Sequence, residues 1–514
     1  MTKRAVLLLV VPALLTRLIA GASACTAGGA KGGATCDGRP LIYKVSDEAD
    51  YKAYLEIYTG GPYKYLAEAS GGGINEHGFA AHNTTASMLG GEVGIWPRYI
   101  IPYCASLADA RSELAAQTGG SAAQPMMDRY GGVAMFEVHT SPHTPRYWEY
   151  NLDNASRQTD PDYPYDNDKM MFFVRANDVF TNLFHREPTA VLNAWTSTSH
   201  RNRYINNRAW TSNLIQDVGA NNVSGPGITL NDLVMHVRHG EPRVDTTWDT
   251  GQICHPVVGS AWWTTFTAID LGVNAGENPK FATMLTAMGN PDYSIHIPAW
   301  CDLAQSELSP YAVEDSDKIC DIAQYSYAIL TDRAEPEHSA TYDDYVYGVF
   351  DAVELNILEA VRDARHQWLD LGNTTNSHTQ MKWMHQYSAK AAYYTLKSIY
   401  ETTAADRRGA NHPPSITALG STGNGLNVTF DCNASDGDGI AYYRWRFGDG
   451  ATTTGTATPA HTYAAPGTYQ VMCYVEDADS SKAANVKFAW ITVSAAQSAA
   501  PDPPTGLRVT APAR

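Results

Sequence analysis

The sequence lacks most of the features that announce a common chemistry. No CxxC pair occurs among its eight cysteines, which speaks against a thioredoxin-type redox centre and the usual cysteine-rich zinc sites. No HExxH occurs among the 16 histidines, and HGEPRVD (His239 to Asp245) supplies no second ligand at usable spacing. GGGINEHG (Gly71 to Gly78) is glycine-rich, but it lacks the Lys-Ser/Thr and the following helix of a phosphate loop. Basic residues are the minority, 37 against 54 acidic ones, for a net charge of −17, and no Lys/Arg run appears. An acidic surface repels phosphate backbones, so nucleic acid is not an expected partner. After residue 24 no segment reaches the roughly 18 apolar residues of a spanning helix. No cofactor and no metal is expected.

What is present is a chain of 514 residues, 44% hydrophobic and 18% charged. That composition suits globular structure, and the length suits two or three domains. The start, MTKR followed by AVLLLVVPALL, combines a basic end with an apolar run, and ASA ending at Ala24 supplies the small residues of a cleavage site. Residues 1–24 therefore read as an export signal. Arg17 interrupts the apolar part, which leaves it short for a membrane anchor. The mature protein is expected to be secreted, periplasmic or at the cell surface, where some cysteines should pair. Cys432 with Cys473 is the first choice and Cys301 with Cys320 the second.

Residues 25–408 open with Gly/aromatic strands such as GGINEHGFAAHNTT and GGVAMFEVHT. They end in two segments with apolar residues at helical spacing. The first contains Val346, Val349, Phe350, Val353, Ile357 and Val361, and MKWMHQYSAKAAYYTLKSIY forms the second. Two amphipathic helices after a strand-rich region suggest helices covering a sheet. RRGANHPPS (Arg407 to Ser415) reads as a boundary. Residues 412–494 beyond it are short alternating strands with Gly, Asp and Thr turns, the pattern of a β-sandwich. Residues 495–514 are Ala/Pro-rich and read as linker or as the start of a further module. YYRWRFGDG (Tyr442 to Gly450), HTY (His461 to Tyr463), PGTYQVMCYVED (Pro466 to Asp477) and the closing ITV make residues 412–494 resemble a PKD domain, an Ig-like sandwich. Trp445 and Phe447 are expected to alternate into its core while Gly448-Asp449-Gly450 turn the chain. Such modules serve as spacers or adhesion elements, so contact with a cell surface or a polysaccharide is an expected role. SDGDG (Ser435 to Gly439) has the composition of a calcium loop without its full oxygen set, and a plain turn is the preferred reading.

The chemistry is sought at Cys25. Cleavage after Ala24 would leave Cys25 first in the chain, with a free α-amine beside its thiol. An α-amine has a reference pKa of about 7.7–8.0, against about 10.4 for lysine. It can take the thiol proton near neutral pH and return it to a leaving amine, so nucleophile and base sit on one residue. CTAGGAKGGATCDGRPLIYKVSDEAD resembles the start of cysteine N-terminal nucleophile (Ntn) hydrolases, nearest to the acyl-CoA:6-aminopenicillanate acyltransferase and carcinine hydrolase-like group. DGRPLIYKVSD (Asp37 to Asp47), GGGINEHGFAAHNTT (Gly71 to Thr85), FFVRANDVF (Phe172 to Phe180) and TMLTAMGNPDYSIHIPAW (Thr283 to Trp300) match that family's elements in its order.

The resemblance implies an α+β fold, a four-layer αββα domain, acting on a linear amide bond of a small substrate. It implies Cys25 as nucleophile and, through its amine, as acid/base. Asn83 would be the side-chain oxyanion donor, Asn177 would help hold the tetrahedral intermediate or the amine, and Asp47 would orient the N-terminus. Ser46 stands where the family carries an arginine; Arg201 and Arg203 are candidates to replace it from elsewhere in the chain. Each of Asn83, Asn177 and Asp47 also has a plain reading, as turn or surface residue. Three alternatives stay open: a lipoprotein anchored through Cys25, a purely adhesive secreted protein, and a dipeptidase of the same superfamily.

Overall fold

The computed structural model describes residues 25–48, 52–68, 72–85, 97–116, 122–138, 147–152, 172–176, 227–239, 263–315, 318–323, 340–401, 412–437, 439–478 and 482–495. The export signal, Asn177, Arg201, Arg203, Cys254 and most of the boundary and terminal linker lie outside the described residues.

The chain is mixed helix and sheet, with two stacked antiparallel sheets in its first part. The glycine-rich β1 (Thr26–Ala30) lies between β2 (Leu41–Glu48) and β11 (Phe172–Ala176), and β2 pairs on its other side with β12 (Trp263–Leu271). β13 (Thr283–Met288) and β14 (Ile297–Ala299) complete the first sheet. The second sheet runs β10 (Tyr147–Asn151), β9 (Val133–Val138), β8 (Ala122–Met127), β6 (Ala80–Ala81), β5 (Gly73–Asn75), β4 (Tyr65–Glu68), β3 (Leu55–Tyr58), with β7 (Thr84–Thr85) also on β8. β1 and β2 lie on β8, and β1 on β9, so the sheets meet face to face.

Glycine is required in β1 because large rings cross it. A Cβ on Gly28 would fall 2.4 Å from the Tyr43 ring, and one on Gly29 2.6 Å from Phe173. The INEHG turn is built around Asn75. Its Oδ1 accepts from the backbone N–H of His77 and Phe79, its Nδ2 donates to the carbonyls of Ile101 and Cys104, and Gly78 takes a positive φ of 74°.

Helix α1 (Leu107–Ala116) packs its Leu107, Ala110 and Leu114 with Ala134, Phe136 and Val138, on the outer side of the second sheet. Helix α2 (Leu230–His239) lies against helix α3 (Ala340–Arg365), which pairs with helix α4 (Ser377–Glu401), and α3 and α4 both rest on β14. Their apolar stripes, Val349, Val353, Ile357 and Val361 on α3 and Met381, Met384, Ala391 and Leu396 on α4, are buried as the helical spacing required. Among the described residues no helix is long and apolar enough to cross a membrane.

The C-terminal module is an all-β sandwich. One sheet holds β15 (Ser415–Asn424), β16 (Asn427–Ser435) and β19 (Ala460–Thr462); the other holds β18 (Thr452–Thr454), β17 (Ile440–Arg446), β20 (Gly467–Asp477) and β21 (Ala484–Val493). Trp445 and Phe447 enter its core beside Phe430 and Tyr463, as expected. Gly448 and Gly450 turn with φ of 90° and 99°. The motif residues lock one another. His461 stacks flat on Phe447 at 4.3 Å and bonds Asp449 Oδ2 through Nε2 at 2.7 Å, and Tyr463 Oη donates to the Phe447 carbonyl.

Neither expected disulfide is formed, though the first pair is brought into contact. Cys432 and Cys473 meet across the sandwich as free thiols in hydrogen-bond contact, and burial, then this neighbour, pushes the Cys473 thiol far above its usual range. Cys301 and Cys320 have separate partners. The first donates to the Lys64 carbonyl and the second accepts from the Ala53 N–H, and burial pushes each thiol up to about 12. Each of these two sulfurs is thus held by a backbone group of its own and not by the other.

The module does not hang free of the first region. Met472, Tyr474, Ala484, Val486 and Phe488 belong to the same apolar core as α3 and α4. Polar contacts line that seam: Lys390 Nζ to Glu476 at 2.7 Å, Thr395 Oγ1 to the Ala484 carbonyl at 2.9 Å, and Lys487 Nζ to Asn356 Oδ1 at 2.7 Å.

Candidate functional site

Cys25 immediately precedes β1, in line with the register that sets Thr26 opposite Val45. Alternation along the strands puts Ile42, Lys44 and Ser46 on one face of β2 and Leu41, Tyr43 and Val45 on the other. The Lys44 face is the one that meets the second sheet, because Lys44 Nζ donates to Asn83 Oδ1 at 3.3 Å, and Asn83 lies between β6 and β7. Cys25 falls on that same face, with its Sγ 4.0 Å from Ser46 Oγ. Thiol, hydroxyl, ammonium and amide thus share the space between the sheets, and their residues are 1%, 0%, 1% and 6% exposed.

β12 continues this polar seam. Phe266, Ala268 and Asp270 oppose Ser46, Lys44 and Ile42 and face the second sheet with them. The Phe266 ring centre lies 5.1 Å from Lys44 Nζ, close enough for a cation–π contact. Asp270 Oδ2 bonds His82 Nε2 at 2.8 Å, and Glu68 Oε1 stands 3.9 Å from His82 Nδ1 while accepting from the Gly72 N–H. Among the described residues, His82 Nδ1 and Asp270 Oδ1 have no hydrogen-bond partner. Gly72 is confined here, since a Cβ would fall 2.2 Å from His82 Nδ1. Glu137, buried on β9, shares its face with Val133 and Met135 and so also looks toward the first sheet.

A second buried chain lies on the opposite face of β12. Thr267 Oγ1 meets His296 Nε2 at 2.6 Å, and Glu354 of α3 accepts from His296 Nδ1 at 2.8 Å. It has the order of a catalytic triad, but it lies sealed between the sheet and α3, with all three residues buried, where it ties the helix to the sheet.

Of the residues expected from the sequence, the structure brings Cys25 and Asn83 to one inter-sheet space. Asp47 is in β2, paired with Thr264, and its side chain lies outside what is described. Asn177 follows β11, the neighbour of β1, and is itself undescribed, as are Arg201 and Arg203. Sequence reasoning missed Lys44, His82 and Asp270. The signal for Lys44 was present: a lone cation in LIYKVS, in phase with Ser46 and flanked by apolar residues, must enter the layer that Ser46 enters. His82 directly precedes Asn83, but its partner Asp270 is far away in sequence and nothing local points to it.

Among the described residues no group of three or more His, Cys, Asp or Glu is placed to hold a metal ion. The described seam holds a thiol, a lysine ammonium and a side-chain amide in a layer shielded from water, where each electrostatic contact is stronger than at a surface.

Comparisons with known proteins place only the last part of the chain. Residues 411–493 match the family model described as PKD domain. No curated protein matches the chain. Among solved structures, the PKD1 domain of Vibrio anguillarum Epp is similar at 27% identity, covering 16% of this chain and 98% of that one, with a TM-score of 0.15. The PKD1 domain from the Vibrio cholerae metalloprotease PrtV is similar at 30% identity over 16% of this chain and 98% of its own, also with a TM-score of 0.15. A structure titled for the promiscuous specificity of carbohydrate-binding modules from the β-sandwich superfamily is similar at 36% identity, over 16% of this chain and 36% of that one, with the same score. The chain carries a PKD domain at residues 411–493.

Proposed function

We propose that residues 25–408 form a cysteine Ntn hydrolase of four-layer αββα type that cleaves or transfers at a linear amide bond of a small substrate. The observation that carries this reading is the position of Cys25. It sits at the head of a glycine-rich central strand, in the space between two stacked sheets, with Ser46 beside it and Asn83 reached through Lys44. Helices on the outer sides of both sheets support the layered reading.

In this mechanism the α-amine of a processed Cys25 takes the thiol proton, and the sulfur attacks the amide carbonyl carbon. The carbonyl oxygen becomes an oxyanion, and Asn83 Nδ2 donates to it. The amine then returns its proton to the leaving nitrogen as the C–N bond breaks, which leaves an acyl thioester on Cys25. Water completes hydrolysis, or a second amine completes transfer. A lipid anchor at Cys25 is less well supported, because the residue is 1% exposed within the sheet stack. The same reading keeps contact of the PKD domain with a cell surface or polysaccharide, through the exposed face of β15 and β16; co-sedimentation with insoluble polysaccharide tests that part.

The test of the enzyme reading is the N-terminal sequence and intact mass of the exported protein, followed by turnover of small N-acyl amides. The expected result is a start at Cys25 with a free amine, no turnover in Cys25→Ala, and residual turnover in Cys25→Ser. A blocked or different first residue, or full activity in Cys25→Ala, overturns the reading.

A further inference from the structure

We propose that Lys44 is a positioning residue for Asn83, holding its amide by the oxygen so that Nδ2 is presented to the sulfur side of the seam. This inference rests on the reading of Cys25 as nucleophile. Three observations carry it. Lys44 Nζ lies 3.3 Å from Asn83 Oδ1, both inside the stack. A lysine ammonium has three donors and no acceptor, so it can meet an amide only through the oxygen. That chemistry fixes which way the Asn83 amide points. Third, Lys44 is itself fixed. It is two residues from Ser46 on one strand face, its neighbours in register are Ala27 of β1 and Ala268 of β12, and the Phe266 ring lies 5.1 Å from its charge.

An asparagine free to flip would offer its carbonyl oxygen to a forming oxyanion half of the time, and repulsion would replace a hydrogen bond. Lys44 removes that choice. A donor held within a fraction of an ångström of its productive place is worth far more in the transition state than a mobile one.

Two probes on the full, processed chain separate the roles. With p-nitrophenyl acetate, the acetyl group passes to Cys25 Sγ as a thioester while p-nitrophenolate leaves, so an oxyanion forms on the way. Iodoacetamide alkylates the same sulfur with loss of iodide and forms no oxyanion. Lys44→Met is expected to slow acetyl transfer at least tenfold and to leave alkylation within about twofold. Asn83→Ala is expected to slow acetyl transfer by roughly 10²–10³, and adding Lys44→Met to it should cost nothing further, since both changes remove one device. Equal slowing of both probes by Lys44→Met would mean that Lys44 acts on the thiolate, and additive losses would mean that it acts apart from Asn83; either overturns the proposal.

Asn83→Asp supplies a readout that needs neither activity nor a folded Lys44→Met. Facing an ammonium, the new carboxylate is tolerated and the melting temperature stays near that of the parent; facing none, a buried charge lowers it by roughly 5 °C or more, and the proposal falls. Persistence of the acetyl burst in Cys25→Ala, or its absence from the parent protein, counts against Cys25 as nucleophile, and the Asn83→Asp melting result still decides the Lys44 contact.

Discussion

The chain holds two sheet-on-sheet packings, and their interiors differ in kind. In the PKD domain the space between the sheets is filled by Phe430, Trp445, Phe447, Tyr463 and Val471, with two thiols as the polar exception. In the first region the corresponding space also holds apolar side chains, but Lys44, Glu68, Asn83, Glu137 and Asp270 are buried among them. Burying such groups costs several kcal/mol each unless they find partners. A fold that needed only cohesion would look like the PKD core. The ionic seam beside Cys25 is what the proposed chemistry would use, and among the described residues the PKD core holds nothing comparable between its sheets.

Removing the second packing altogether should have the largest effect. The PKD domain shares a core with α3 and α4 through Met472, Tyr474, Val486 and Phe488, and each such side chain stabilises by about 1.5–3 kcal/mol when buried. A chain ending at Gly409 is therefore expected to melt at least 10 °C below the full protein, or to aggregate, as judged by calorimetry and light scattering. Its rate per titrated Cys25 should be unchanged, because none of the contacts described for Cys25, Ser46, Lys44 and Asn83 involves the module. Unchanged melting would make the interface incidental, and a lost rate per active site would draw the module into the chemistry.

A sharper contrast comes from one substitution in each interior. Asp270→Ala strips His82 Nε2 of its partner inside a dry layer, at a cost on the order of 3 kcal/mol. Trp445→Ala leaves a large hole in the PKD core and costs about 3–5 kcal/mol. The two losses should differ in their effect on the thiol. The tryptophan change unfolds the sandwich while Cys25 keeps its acylation rate, and the aspartate change lowers that rate as well as stability. Limited proteolysis and p-nitrophenyl acetate bursts on both variants decide it.

The parts of this structure legible in the sequence were those with local periodicity or local motifs. Helices α3 and α4 followed from apolar residues at 3.6 spacing, and the PKD core followed from WRFGDG and HTY, whose residues bond one another over short separations. Cys25 and Asn83 were found through a resemblance and fall in one layer. What could not be read was pairing at a distance. The Asp270–His82 bond spans 188 residues and Lys44–Asn83 spans 39, and no periodicity encodes which buried ion meets which. The Cys301–Cys320 expectation failed for the same reason. Spacing put Cys301 near Cys320 in sequence, while the folded backbone gave each sulfur a different carbonyl or amide to bind. The PKD boundary was visible as Pro/Gly composition, but its shared core with α3 and α4 was not, because the faces involved look like ordinary strand and helix faces.

The smallest effect tests whether buried polarity alone marks chemistry. His385, on α4, is as deeply buried as His82 but is satisfied at both nitrogens: Nδ1 donates to the Pro298 carbonyl at 2.8 Å, and Nε2 accepts from the Ser309 N–H at 2.8 Å. A protonated ring would aim an N–H at the Ser309 N–H, and burial also disfavours the charge. Burial accordingly lowers the His385 pKa from 6.5 to about 4. The unfolded chain therefore takes up this proton first as pH falls. The contribution is whole above pH 6.5, declines as pH falls toward 4 and is constant below that, for a total of roughly 3 kcal/mol. His385→Gln keeps one donor and one acceptor without titrating. It should flatten the fall in unfolding free energy between pH 6.5 and 4, as measured by urea titration at several pH values, and leave Cys25 acylation at pH 7.5 unchanged. An equally steep fall in the variant would assign the acid lability to other groups, and a changed acylation rate would mean that a satisfied buried histidine is coupled to the seam around Cys25 after all.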